Sequence, residues 1–200
     1  MEVNMTYIIW AVALMISGYW IFRIQVRGDY QKKGKLSFLS SFLEFAFFAF
    51  HANMMYVFIP VSWGRLPPLS GHPLWNLVSL VCIIVGLIIV ATSMIPLGFG
   101  RSMGLQSRRL KTNGLYRLSR NPQLIGYSIL LIGYIISYFT LYAIGWFILL
   151  WINIHWMIIS EEEHLVKVYE DEYEDYCRKV PRYLDTRSIR NIFKFRNGKV

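Results

Sequence analysis

Residues 123–159 read QLIGYSILLIGYIISYFTLYAIGWFILLWINIHWMII, without one charged side chain. A bilayer crossing needs roughly 20 mostly apolar residues, so the run is too long for one span and has room for two. Residues 137–140 offer a turn. The expectation is a helical hairpin, 123–138 going out and 141–159 coming back, which returns Glu161 and Glu162 to the membrane rim where Arg120 and Asn121 entered.

Three further apolar stretches lie upstream, at about 5–22, 36–61 and 74–94. With 55% hydrophobic residues and only 16% charged, and a mean hydropathy of +0.39, the composition is that of an integral membrane protein. Backbone groups in lipid must be satisfied within the spanning segment. The expected fold is therefore all-α, a single membrane domain of five transmembrane helices with the last two paired, followed by a cytosolic amphipathic helix.

The net charge of +9 raises the question of nucleic acid, but the placement of the charges decides otherwise. Every Lys and Arg except Arg65 falls in segments that the five spans put on one side. The positive-inside rule places that side in the cytosol, with the N-terminus outside and the C-terminus inside. No nucleic-acid partner is expected, and the basic excess suits anionic membrane lipids. Glu2 precedes the first apolar run and basic residues follow it, so the run reads as a retained first span rather than a leader. Cys82 lies in a span and Cys177 on the inner side, which argues against a disulfide between them. No metal site is expected.

In the second span Glu44 and His51 stand seven residues apart, on one helix face. Ionisable groups at depth are costly and mark either interhelical hydrogen bonds or a site; both readings stay open. Gly98 and Gly100 follow a membrane helix rather than a strand, which excludes a dinucleotide-binding turn. They suit a chain leaving the membrane, and the basic segments 97–122 and 160–200 are expected to hold a cofactor.

Asn121-Pro122 opens the fourth span with a favoured N-cap and a favoured first helical residue. Such a start presents N–H groups and a partial positive charge, and Arg120 adds a bidentate donor, so an anion can dock there. After the hairpin, Leu165, Tyr169, Tyr173 and Tyr176 recur at helical spacing. Glu163, Glu170, Asp171, Glu172 and Glu174 read as a solvated face, whereas Glu161 and Glu162, facing the Arg120 rim, read as site residues.

The order GLYRLSRNP, hairpin, EEEHLVKVYEDEYEDYCRKVPR resembles the isoprenylcysteine carboxyl methyltransferase and phospholipid methyltransferase superfamily of small integral membrane enzymes, over residues 97–182. That family's pattern looks like G-x-Y-x-x-x-R-H-P-x-Y-x-G, then E-E-x-x-L, an aromatic-Gly pair, Y-x-x-Y and V-P-R. Gly114, Tyr116, Arg120, Pro122 and Gly126 match the first part; Glu161, Glu162, Leu165, Tyr173, Tyr176, Val180, Pro181 and Arg182 match the second. Asn121 replaces the usual His, Leu124 the usual Tyr, and Tyr169-Glu170 the aromatic-Gly pair.

The resemblance implies a cytosolic pocket for S-adenosylmethionine and a lipophilic acceptor arriving from the bilayer: an isoprenylcysteine carboxylate, a phospholipid amine or another small lipid. It implies that Gly114, Tyr116, Asn121, Pro122, Gly126, Glu161, Glu162, Leu165 and Arg182 bind the cofactor, and that Arg120 and Glu162 act on the reacting groups. Methyl transfer asks mainly for positioning and electrostatics. Two alternatives are an NADPH-dependent reductase of sterol-reductase type, which shares a similar C-terminal pattern, and a non-catalytic membrane partner subunit in which Arg120, Glu161 and Glu162 only form ion pairs.

Overall fold

The computed structural model describes residues 5–58, 72–95 and 110–196, and among these every regular element is helical. The outer loop around Arg65, the glycines at 98 and 100 and the segment 97–109 lie outside the described residues. In chain order the helices are α1 (Met5–Lys33), α2 (Phe38–Phe58), α3 (Pro73–Met94), a 3₁₀ turn (Gly114–Arg117), α4 (Pro122–Ser137), α5 (Leu141–Lys179) and α6 (Thr186–Arg196).

Helix α1 does not end at Phe22, where its apolar stretch ends. It passes through a π-helical turn at Trp20–Val26 and takes in the basic segment expected to be a loop, because Arg, Gln and Lys are good helix formers. The stop is Gly34, whose left-handed conformation (φ 65°) closes the last turn with a 3.2 Å bond from its N–H to the Tyr30 carbonyl. The buried Asp29 carboxylate then fixes the corner into α2. It accepts from Lys33 Nζ at 2.7 Å, the Ser37 N–H at 2.8 Å and Ser40 Oγ at 2.5 Å.

Helices α1, α3 and α5 are each long and apolar enough to cross a bilayer. Helix α4 has 16 residues and at 1.5 Å per residue spans about 24 Å, short of the roughly 30 Å hydrocarbon core. Helix α2, with 21 residues, is long enough, but Ser40, Ser41, Glu44, His51 and Asn53 dilute its apolar character. Among the described residues the structure thus supports a multi-pass, all-helical membrane protein with three helices long and apolar enough to span.

Residues 138–140 break the long apolar run where a turn is expected, and Thr140 caps α5 by accepting the Ala143 N–H at 3.1 Å. Helix α5 does not stop at Ile159. It runs for 39 residues in all, with a kink at Glu170, so that residues 161–169 extend the apolar helix and the residues beyond follow the kink. Its one non-helical residue is Glu170, at φ 43° and ψ −123°.

The described residues fall into two compact units, Met1–Leu80 with Gly133–His164 and Val81–Ile132 with Leu165–Val200. The core of the first holds Leu14, Phe22, Met54, Leu150, Ile154 and Ile158. In it α1 and α5 pack where Gly18 has no room for a side chain; a Cβ would lie 1.6 Å from Asn153 Oδ1. His51 and Trp146 stack at 4.8 Å. They also bond reciprocally: Trp146 Nε1 donates to the His51 carbonyl at 2.8 Å and His51 Nε2 to the Trp146 carbonyl at 3.0 Å. His51 is therefore committed to joining α2 and α5.

In the second unit α3 and α4 approach through glycines. A Cβ on Gly86 would lie 2.5 Å from both the Gly126 carbonyl oxygen and the Leu130 nitrogen, and one on Gly126 would lie 2.8 Å from the Ile89 side chain. Small residues at such crossings let helix backbones come into contact in lipid. Further along the chain, Tyr173, Tyr176 and Val180 form a buried cluster packed by Leu110, Leu165, Tyr169 and Cys177.

Candidate active site

The first half of the sequence pattern begins with a backbone requirement. Gly114 sits at φ +64° with no atom within 4 Å of a would-be Cβ, so its glycine answers the turn's conformation and not a crowded ligand. The 3₁₀ turn it starts buries Tyr116, whose hydroxyl donates to Gln123 Oε1 at 3.2 Å.

Residues 119–122 are then stitched to residues 180–182. The Arg120 N–H donates to the Pro181 carbonyl at 2.9 Å. Ser119 Oγ and Asn121 Nδ2 both donate to the Arg182 carbonyl at 3.1 Å. The Tyr176 hydroxyl donates to the Tyr116 carbonyl at 2.6 Å, and burial pushes that phenol's pKa above its ordinary value, with Tyr116 adding to the rise. The two motif segments, some 60 residues apart in sequence, thus make one hydrogen-bonded corner.

Asn121 has a role the sequence did not reveal. Its side-chain amide is turned to the Arg182 carbonyl, while its own carbonyl accepts the Leu124 and Ile125 N–H groups at 3.2 and 3.3 Å. An imidazole N–H can serve the same acceptor, which gives a physical reason why Asn can stand where the family pattern has His. The helix start is also less open to an anion than expected. The Asn121 N–H is held by Ser119 Oγ at 3.0 Å, Pro122 has none, and Leu124 and Ile125 are engaged, which leaves the Gln123 amide.

The Arg120 guanidinium donates to the Cys177 sulfur and lies 5.9 Å from the centre of the Tyr173 ring. Cys177 and Ser119 are components of this corner that sequence reading missed, since both fall at unspecified positions of the family pattern. Leu165 serves the tyrosine cluster, and Gly126 serves the α3–α4 crossing. Arg182 contributes its carbonyl to the corner.

Glu161 and Glu162 lie on α5 within the first unit, just past the apolar part of the helix. Burial, then the neighbouring Glu162 charge, pushes the Glu161 carboxyl up to about 7. On either side the helix is anchored. Ser160 Oγ donates to the Phe22 carbonyl and accepts Arg23 Nη1, both at 2.8 Å, and His164 stacks on Tyr30 at 4.4 Å. Glu163, expected on a solvated face, instead accepts Arg23 Nη2 at 2.9 Å and Arg27 Nε at 2.5 Å. Burial alone would raise its pKa, but the two arginines outweigh burial and hold the carboxyl below its usual range.

This is an all-helical membrane protein with a polar corner at the start of an apolar helix. Residues 74–172 match the phospholipid methyltransferase family. The chain is also 24% identical over 128 residues to a protein-S-isoprenylcysteine O-methyltransferase of Dictyostelium discoideum, covering 60% of this chain and 53% of that protein. The match thus spans about half the length of that relative. No solved structure matches the chain.

Proposed function

We propose that the protein transfers a methyl group from S-adenosylmethionine to a lipophilic acceptor at the cytosolic face of a membrane, with five crossings and its C-terminus in the cytosol. The observation that carries this reading is the corner in which Ser119, Arg120 and Asn121 bind the carbonyls of Pro181 and Arg182, joining the two halves of the family pattern. The donor set suits the cofactor. The Gln123 amide at the start of α4 suits the cofactor's carboxylate, which leaves Arg120, held by Cys177 and Tyr173, for the acceptor. Glu161 and Glu162 suit an amine or ribose hydroxyls, the role that the resemblance implies for them.

When bound, S-adenosylmethionine supplies an electrophilic methyl on a sulfonium. The chain has only to orient it and the acceptor, and no covalent nucleophile is required. Arg120 would steady the carboxylate or phosphate of the acceptor. A glutamate whose carboxyl titrates near neutrality, such as Glu161, can also take a proton from an acceptor amine.

The test is transfer of labelled methyl from S-adenosylmethionine into membrane lipids and lipidated proteins, with identification of the labelled species. Arg120→Ala and Glu162→Ala are expected to abolish transfer and S-adenosylhomocysteine binding while the protein stays folded in detergent. Fully active variants would return these residues to structural duty, and calorimetry showing NADPH binding alone would overturn the reading.

A further inference from the structure

Helix α6 has two faces that the family pattern does not reach. Asp185 caps its start, accepting the Arg187 N–H at 2.7 Å, and Arg187 holds the Asp185 carboxyl below its usual range. One face is docked. Ser188 Oγ donates to the Leu118 carbonyl at 2.6 Å, Asn191 Nδ2 to the Arg117 carbonyl at 2.8 Å and Arg187 Nη1 to the Cys177 carbonyl at 3.1 Å.

The opposite face is apolar and open. Ile189, Ile192 and Phe193, at i, i+3 and i+4, are 57%, 49% and 57% exposed, and Leu184 just before the helix is 60% exposed. Basic residues Arg190, Lys194, Arg196 and Lys199 accompany them, and no acidic residue occurs from 186 to 200. A helix with a continuous apolar stripe, cationic flanks and little overall hydrophobicity lies in a membrane interface rather than crossing the bilayer. The carbonyls that anchor α6 belong to residues 117 and 118, only a few positions before apolar helix α4 begins at Pro122. The anchor therefore holds α6 at the end of α4 where the chain enters the bilayer.

We propose that α6 docks on the anionic headgroup layer, with Ile189, Ile192 and Phe193 inserted among the acyl-chain ends and Arg190 on phosphates. The occupant follows from charge. A purely apolar protein partner would leave the basic residues of this segment unanswered, whereas an anionic bilayer answers both the stripe and the positive charge. Docking would press α6 onto the backbone of residues 117 and 118, so the membrane surface itself would bear on the Arg120 corner. This inference does not depend on methyl transfer.

The experiment is amide hydrogen exchange over residues 186–193 of the full chain in nanodiscs of pure phosphatidylcholine and in nanodiscs containing phosphatidylglycerol. Exchange is expected to slow by at least about fivefold with phosphatidylglycerol, the preference one basic side chain gains at an anionic surface. Raising the salt should remove the difference. Ile189→Ser with Phe193→Ser, and separately Arg190→Glu, should lose the protection while the Arg120 amide, bonded to the Pro181 carbonyl, stays protected. Equal exchange in the two lipids would overturn the proposal. So would protection that grows with protein concentration in detergent, which would mean that a second copy covers the face.

Discussion

Replacing Gly86 by Ala tests the α3–α4 crossing. The added Cβ would lie 2.5 Å from the Gly126 oxygen and the Leu130 nitrogen and 2.8 Å from the Leu130 Cα. All three are backbone atoms, so no side-chain rotation relieves the clash and the helices must separate. Overpacking of this kind costs about 1–3 kcal/mol, and the upper end applies because the neighbours cannot yield. Against this stands the helix-propensity gain of about 1 kcal/mol for Gly to Ala. The expected net loss is about 2 kcal/mol, or a melting temperature lower by about 4–8 °C for a chain of this size. Gly28→Ala is the matched control. Nothing lies within 4 Å of its Cβ position, so only the propensity gain of about 1 kcal/mol remains and the melt should rise. Thermal unfolding in detergent, followed by circular dichroism, reads both. A Gly86→Ala protein that melts at or above the unmodified one would refute the close crossing. Gly126→Ala extends the test, because a packing role predicts lower stability with unchanged S-adenosylhomocysteine affinity in the folded fraction. Loss of affinity alone would assign Gly126 to the cofactor.

Glu170→Gly should stabilise the protein by about 1 kcal/mol, because Gly adopts positive φ without the strain a side chain meets there; an unchanged or lower melting temperature counts against the kink. Tyr176→Phe leaves the Tyr116 carbonyl without its 2.6 Å donor and should cost about 1–3 kcal/mol, read by chemical denaturation. Asn121→His should keep the corner and Asn121→Ala should weaken it, with both checked by the same melts. Glu163, whose pKa is lowered by Arg23 and Arg27, contributes stability that is present above the ordinary carboxylate pKa and lost as pH falls through its depressed value. Melts taken across acidic pH should show this loss, and Glu163→Gln should flatten it.

How much of this was legible in the sequence differs from element to element. The break at 138–140 and the start of α4 at Pro122 were readable because an uncharged run too long for one span must turn, and because Asn-Pro is a strong start signal. The far end of α1 was not, since the transition from apolar to basic residues looks like a membrane boundary while the helix continues until Gly34. The continuation of α5 past Ile159 through Glu161, Glu162 and Glu163 was hidden for the same reason. Charge marks where lipid ends and says nothing about where a helix ends.

At the candidate site the pattern named two backbone segments that the structure joins, without naming the atoms that join them. Asn121 and Arg182 appeared as ligands' partners, yet the structure spends the amide of one on the carbonyl of the other. Gly126 matched the motif, and its reason is a neighbouring helix 40 residues upstream that no local reading reveals. Glu163 looked solvated because its partners, Arg23 and Arg27, stand some 140 residues away. In contrast, Glu170 was noted as a departure from an aromatic-Gly pair, and it is the residue whose backbone takes a glycine-like conformation.

The corner that joins residues 119–121 to the carbonyls of Pro181 and Arg182 also sets an order of events during synthesis. Helices α1 to α4 can enter the membrane as they leave the ribosome, but Ser119, Arg120 and Asn121 must wait for partners made some 60 residues later, and Arg117 and Leu118 wait longer still for Ser188 and Asn191. A nascent chain halted anywhere before residue 182 would be inserted yet lack its corner.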